Sequence, residues 1–321
     1  MRIRRWVGTA ATATAVGLSI AGCASGGTQT TTGAPGGSSS SGGSAGTTAR
    51  PAAAGSVRAG HPTKVLVLME ENHSYAQMKS GMPYLFGLAK TYGYATDWSA
   101  ISHPSLPNYL AISGGSTFGI TDDRSPAAHA AEVGTAKSVF DQAIDSGGTA
   151  GTYAQSIPHA CHPYDFPVIS PLYAVRHNPW TYYSSSHVRC LSHDQSTSGF
   201  AAAAKADALP NVGFVFPNLC NDAHNCSLAT ADGFLRSTLA PVLASSDFTS
   251  GRLVVVVTAD EDDKRSGNKV LTTVLSPRLS GKVVSTPLTH YSLTRYIAQV
   301  LGVAPLRNGA TAPDMQAAFG L

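Results

Sequence analysis

Two acidic clusters and one serine hold most of the chemistry this sequence offers. Glu70-Glu71-Asn72-His73 follows one apolar run, and Asp260-Glu261-Asp262-Asp263 follows another. The carboxylate and amide oxygens of Glu71, Asn72, Asp260 and Glu261 make a hard donor set. Such a set suits one divalent ion, Ca²⁺, Mg²⁺ or Mn²⁺ ahead of Zn²⁺ or Fe. Burying these carboxylates together without a cation costs desolvation and repulsion. Taken singly, each acidic run reads more simply as a solvated loop rim. Ser105 lies in Ser102-His-Pro-Ser-Leu-Pro-Asn-Tyr-Leu110, a proline-bounded turn that opens a helix. A hydroxyl there faces the positive end of the helix dipole, which favours an alkoxide and a bound phosphate. Ligation by a metal lowers its pKa further, so Ser105 is expected as both ligand and nucleophile. The plainer role for such a serine is N-capping. Asn108, one turn on, is placed to donate to a phosphoryl oxygen.

Three histidines lie in stiff loops. His177 is in Arg176-His-Asn-Pro179, His224 in Asn218-Leu-Cys-Asn-Asp-Ala-His-Asn-Cys226, and His290 in Thr289-His-Tyr-Ser292. Any one of them alone is more ordinary as a structural residue. Asp222 with His224 offers a second metal half-site or an oriented proton donor.

Alternating strands and helices must position these groups. Lys64–Met69 and Leu253–Thr258 are continuous apolar runs of the kind buried in parallel sheets. Weaker strands are expected at Gly151–Gln155, Val212–Phe216 and Lys269–Leu275. Helical patterns run over Met82–Tyr92, Leu106–Ser113, Ala136–Ser146, Ala229–Ala244 and His290–Leu301. The alternation predicts an α/β fold with a mostly parallel central sheet flanked by helices. In such sheets sites form beyond the carboxyl ends of strands, where both acidic clusters fall. His159–Asp194, rich in Pro, Tyr, His and Ser, has no clear period and reads as an excursion over that edge.

The ends and the cysteines bound the setting. Arg2, Arg4 and Arg5 precede an uncharged stretch that runs into Ile20-Ala-Gly-Cys23, a pattern expected of a lipoprotein signal peptide over 1–22 with lipidation at Cys23. An ordinary cleaved signal is the alternative. Residues 23–62 are dominated by Gly, Ser, Thr, Ala and Pro and are expected to form a disordered tether. The remaining body, 63–321, is long enough for one large core. An exported, lipid-anchored monomer is the expectation. A net charge of +3 without basic blocks gives no sign of nucleic-acid binding. With Cys23 set aside, four cysteines remain for an oxidising compartment. Closeness in sequence pairs Cys161 with Cys190 and Cys220 with Cys226, though three connectivities are open.

Six motifs in register carry a resemblance to a known family. They are Met69-Glu-Glu-Asn-His-Ser74, His103-Pro-Ser-Leu-Pro-Asn108, His177-Asn-Pro179, Pro217-Asn-Leu-Cys-Asn-Asp-Ala-His224, Asp260-Glu-Asp-Asp263 and His290-Tyr-Ser-Leu293. Together they resemble the bacterial phosphoesterase family of acid phosphatases and phospholipases C, in the alkaline phosphatase superfamily. The nearest likeness is to mycobacterial-type secreted acid phosphatases acting on phosphoinositides. The resemblance spans Lys64 to Leu301 and implies an alkaline-phosphatase-like fold. Carried onto this chain, it implies metal ligands at Glu71, Asn72, Asp260 and Glu261, with the nucleophile at Ser105. It implies phosphate contacts or proton transfer by His177, His224 and His290, with Asn108 beside the nucleophile. Asn72 and Glu261 stand where two-zinc relatives use histidine, which favours one hard ion; Asp262 and Asp263 are left open as further ligands. Ala259 replaces the usual aromatic residue, and nothing in the sequence explains it.

The implied reaction is hydrolysis of a phosphomonoester, including phosphoinositides, through a phosphoserine, with His224 or His290 protonating the leaving alcohol. The rival in the same family is a phospholipase C-type phosphodiesterase, disfavoured because the body lacks a large C-terminal extension. A non-catalytic surface lipoprotein fits the leader and tether equally well, but leaves the serine, carboxylates and histidines without a role.

Overall fold

The computed structural model describes residues 60–170 and 172–321. The leader, Cys23 and all but the end of the tether lie outside them. Ten strands occur in chain order: β1 Lys64–Glu70, β2 Gly93–Ala95, β3 Trp98–Ser99, β4 Ala150–Ala154, β5 Asp194–Ser196, β6 Val212–Phe216, β7 Leu253–Ala259, β8 Thr272–Leu275, β9 Lys282–Val284 and β10 Leu288–Thr289. Eight form one sheet in the order β5-β4-β6-β1-β7-β8-β2-β9; β10 and β3 form a small second sheet. All pairs in the main sheet are parallel except those of β8 with β7 and β2.

The two continuous apolar runs became neighbours at the centre. β1 pairs with β7 along its whole length, from Lys64 opposite Leu253 to Glu70 opposite Ala259. Every residue of β7 is buried, as are six of the seven in β1. Strands covered on both faces need apolar side chains at every position, which is why these runs do not alternate. Their register delivers Glu71 and Asp260 to the same sheet edge. Of the strand expected over Lys269–Leu275, residues 269–271 stay outside: β8 covers only Thr272–Leu275 and runs antiparallel.

The predicted helices appear with small shifts at their ends: Pro83–Thr91, Ser105–Gly114, Val139–Asp145, Leu228–Leu243 and His290–Leu301. Helix Ser105–Gly114 is buried at every position and stops at Gly115, whose φ of 68° is left-handed and whose Cβ, if present, would meet the Leu306 carbonyl oxygen. Helix His290–Leu301 buries His290, Leu293, Thr294 and Ile297 along one stripe, with Ser292, Tyr296 and Ala298 buried on its flanks. Its Thr294 hydroxyl donates to the Ala111 carbonyl at 2.8 Å, tying it to helix Ser105–Gly114.

The excursion from His159 to Asp194 is more regular than its sequence suggests, since it contains helix His187–His193 and three single turns of 3₁₀ helix. Disulfides join Cys161 to Cys190 and Cys220 to Cys226. Among the described residues no helix is long and apolar enough to cross a membrane.

Candidate active site

β1 ends at Glu70, and the chain turns at Asn72, whose φ is 52°. β7 ends at Ala259, so Asp260 leaves the sheet beside Glu71. The Asp260 Oδ1 accepts from the backbone N–H of Asn72 at 3.1 Å and of Glu261 at 2.7 Å. One carboxylate thereby fixes both strand exits. Ser105 opens its helix 34 residues after Glu71, yet its hydroxyl donates to Glu71 Oε2 at 3.1 Å. Ser105 does not cap that helix. Pro104 is the N-cap, and Asp123 Oδ1 accepts from the Leu106 N–H at 2.9 Å.

Glu71 is fully buried and is shared between two groups of side chains. Oε2 meets Ser105, while Oε1 accepts from the Tyr109 hydroxyl and lies 3.3 Å from His177 Nε2. His177 Nδ1 lies 3.3 Å from Asp222 Oδ2, and the His177 ring stacks on Tyr109 with centroids 5.0 Å apart. Glu71, His177 and Asp222 each present a donor atom within 4.8 Å of the others.

Burial crowds several carboxyls together here. Burial, then the charges of Asp260 and Asp222, hold the Glu71 carboxyl well above its usual range. Burial pushes Asp260 up to about 7, Asp222 to about 8 and Glu261 to about 9. Burial, then Arg176, holds His177 well below the usual histidine range, so its ring is neutral and available as a ligand. Asp260 Oδ2, Asp222 Oδ2 and His177 Nε2 are buried without a hydrogen-bond partner. Orphaned carboxylate oxygens beside a neutral imidazole are what a divalent cation satisfies, so the residues fit one.

A pocket of about 300 Å³ opens over this edge, lined by Asn72, Ser105, Asp123, His224, Glu261 and Lys264 among others. The sequence-predicted metal residues Glu71, Asn72, Ser105, Asp260 and Glu261 therefore gather at one place. His177 and Asp222, expected at the substrate, lie in line beside Glu71, with His177 Nε2 toward Glu71 Oε1 and His177 Nδ1 toward Asp222 Oδ2. His224 is at the pocket; its Nε2 accepts from Arg176 at 3.2 Å and its Nδ1 meets Asn225 Oδ1 at 2.8 Å.

Two expectations need correction. Asn108 does not face a ligand. Its Oδ1 accepts from the Ile101 and Ser102 N–H groups, and its Nδ2 donates to the Ser102 and Pro104 carbonyls and to Glu261 Oε2. With its amide fully engaged and buried, it shapes the loop that presents Ser105. His290 is also fully buried, and both ring nitrogens are occupied. Nδ1 accepts from Trp98 Nε1 at 3.1 Å, which leaves Nε2–H to donate to the Asp260 carbonyl at 2.7 Å. Burial pushes it down to about 4, so it stays neutral. It holds Asp260 in place and does not reach the leaving group. His290→Ala should cost roughly 2–4 kcal/mol in denaturant titration, from a cavity and two buried polar groups left unpaired. Turnover should fall with it, while His290→Gln recovers part of both.

Sequence reasoning missed Tyr109, Asp123 and His103. Tyr109 reads as an apolar helix face, and Asp123 sits in a loop without a motif. His103, two residues before the nucleophile, bridges Glu261 Oε2 at 3.1 Å and Asp262 Oδ1 at 3.2 Å. Asp262, left open as a ligand, builds a turn by accepting from the N–H groups of Lys264, Ser266 and Asn268. Asp263 accepts from Gln77 Nε2.

Residues 78–304 match the model of the Phosphoesterase family. Phosphatidylinositol-3-phosphatase of Mycobacterium tuberculosis is 29% identical over 259 residues, 80% of this chain and 82% of that protein. Phosphate-repressible acid phosphatase of Penicillium chrysogenum is 32% identical over 231 residues, 68% of this chain. The chain spans only 54% of that fungal protein. Among solved structures, a protein of the alkaline phosphatase superfamily from Vibrio parahaemolyticus superposes with a TM-score of 0.53 at 10% identity, over 81% of this chain and 72% of that one. At that identity the likeness speaks to the fold alone.

Proposed function

The chain belongs to the Phosphoesterase family and is a phosphoric monoester hydrolase, and from that premise we propose an exported, metal-dependent acid phosphatase that works through a phosphoserine at Ser105. The observation that carries the reading is the Ser105 hydroxyl lining the pocket, 3.1 Å from Glu71 Oε2, at an edge where Asp260 Oδ2 is buried without a partner. We place phosphoinositides among its substrates on the strength of the mycobacterial relative's name. Residues 1–22 as a signal, Cys23 as the lipid attachment point and 23–62 as the tether belong to the same proposal.

Glu71, Asn72, Asp260 and Glu261, with Ser105, would hold the ion on the pocket side; His177 and Asp222 extend the donor set beside Glu71. Bound there, a divalent cation supplies positive charge that favours ionised Ser105 and offsets charge on the phosphoryl oxygens. The nitrogen donor of His177 brings Fe or Zn²⁺ closer to the Ca²⁺, Mg²⁺ and Mn²⁺ that oxygen donors alone favour.

The protein does the rest by placement. Asn108 and Asp123 fix the turn so that Ser105 Oγ faces the pocket for in-line attack on phosphorus. His290 and the Asn72 amide hold Asp260. Of the histidines expected as proton donors only His224 lines the pocket; to protonate the leaving alcohol its Nε2 must gain a proton and part from Arg176, which is then free to turn to the phosphate. Water then hydrolyses the phosphoserine. Acid quenching during turnover of p-nitrophenyl phosphate, followed by peptide mass analysis, should find a phosphoryl group on the Ser105 peptide. A burst of nitrophenol without that adduct would rule the intermediate out.

A further inference from the structure

Eight large apolar side chains stand exposed among the described residues, and seven belong to one stretch of chain. Tyr164, Phe166, Val168, Ile169 and Leu172 lie in the loop after Cys161. Two more lie on helix His187–His193, whose Cys190 is bonded to Cys161. Single exposed hydrophobic residues are ordinary on a protein surface, whereas a cluster marks an interface. Val168 and Ile169, at 85% and 86% exposure, have no cover from the rest of the described chain.

The loop is held at its base. Phe166 and Tyr173 exchange backbone hydrogen bonds of 2.9 and 2.8 Å, and the Leu219 N–H donates to the Leu172 carbonyl at 2.8 Å. The Tyr173 hydroxyl donates to the His162 carbonyl, and the Val175 N–H to Asp165 Oδ1, both at 2.9 Å. An anchored base with bare apolar residues beyond it presents those residues outward.

Position relative to the active site points to the occupant. Tyr164 and Val168 line a cavity of about 390 Å³ that shares Asp123 with the pocket over Ser105. Asp123 accepts from the amide next to Ser105, so the apolar loop borders the approach to the nucleophile. A small water-soluble ester has no use for that border, while a headgroup held in a membrane does. We propose that the loop at Val168–Ile169 docks the enzyme on a lipid surface, so that lipid-borne phosphomonoester headgroups reach Ser105. The inference rests on the phosphatase reading and adds how the substrate is presented. Shallow burial of apolar side chains among headgroups suffices for such reversible docking.

The test uses the full chain and Ile169→Asp, both with the same N-terminal region. Each is assayed on phosphatidylcholine vesicles containing phosphatidylinositol 3-phosphate, on soluble inositol 1,3-bisphosphate, and on p-nitrophenyl phosphate. Vesicle turnover should fall roughly tenfold or more in the variant, with soluble turnover and melting temperature unchanged. In a separate Ile169→Trp chain, emission should shift to the blue on adding phosphatidylcholine vesicles, relative to the parent chain. Equal vesicle turnover in parent and Ile169→Asp, or unmoved Trp emission, overturns the docking. If Ile169→Asp instead breaks up a dimer and leaves vesicle turnover intact, the surface serves a second copy and the inference also falls. Should the parent hydrolyse none of the esters, the phosphatase reading fails, and the Trp emission still decides the docking.

Discussion

Ser105→Ala abolishes turnover of p-nitrophenyl phosphate while the protein melts as before. The expected loss in kcat is about 10⁴-fold or more, the scale for removing a nucleophile that works with its partners as a unit. Stability should change by less than about 1 kcal/mol. Ser105 gives up one hydrogen bond to Glu71, but Tyr109 still donates to the same carboxylate, and an alanine fits a helix start already capped by Asp123. Activity assay beside thermal melting separates the two effects. Retained turnover removes the central claim, and lost turnover with a lowered melting point would reduce Ser105 to a structural residue.

The second large effect comes from the cation. Prolonged chelation should suppress activity, and restored divalent metal should recover it. The metal-free protein carries the cost of its crowded carboxyls, and the sign of its pH dependence follows. Asp260, Asp222 and Glu261 have folded-state values of about 7, 8 and 9, raised first by burial. Unfolded, they ionise near pH 4. Between those limits the folded state holds protons that the unfolded state has released, so stability falls as pH rises. Stability from these groups is whole below about pH 4 and is lost through pH 7 to 9. A bound divalent ion takes over from the protons. At a hundredfold excess over its dissociation constant it adds about 2.7 kcal/mol, on the order of 5 °C in melting temperature for a body of this size. The metal-induced shift should therefore grow from pH 5 to pH 8 in differential scanning fluorimetry. A chelated protein with full activity, or a shift that shrinks with pH, argues against a metal centre here.

The central strands were legible in the sequence because a doubly covered parallel strand must be apolar at every position. Lys64–Glu70 and Leu253–Ala259 could hardly be anything else, and their ends announced the acidic edge. The short strands at Gly93–Ala95, Trp98–Ser99, Asp194–Ser196 and Lys282–Val284 escaped notice. Two or three residues carry no period, and only their partners make them strands. Site residues divide in the same way. Residue type with position at a strand end or helix start was enough to pick out Glu71, Asp260 and Ser105, which the fold brings to one edge. The roles of Asn108 and His290 depend on which backbone groups lie within reach, which is tertiary information. Both were expected at the ligand, and both turned out to hold its ligands in place. Asp123 lies 17 positions after Leu106 in a loop of ordinary polar composition, and only folding brings it to the helix start.

The ionisable side chains lining the pocket over Ser105 are mostly acidic: Asp123, Glu261, Asp262 and Asp263 against Lys264. An ester dianion drifting toward that wall meets repulsion, and Arg176 alone is too little to reverse it. Under the proposed function, a divalent ion held by the carboxylates at this edge would offset that charge before an ester arrives. An ion that stayed seated between turnovers would then leave each incoming ester a doorway already neutralised.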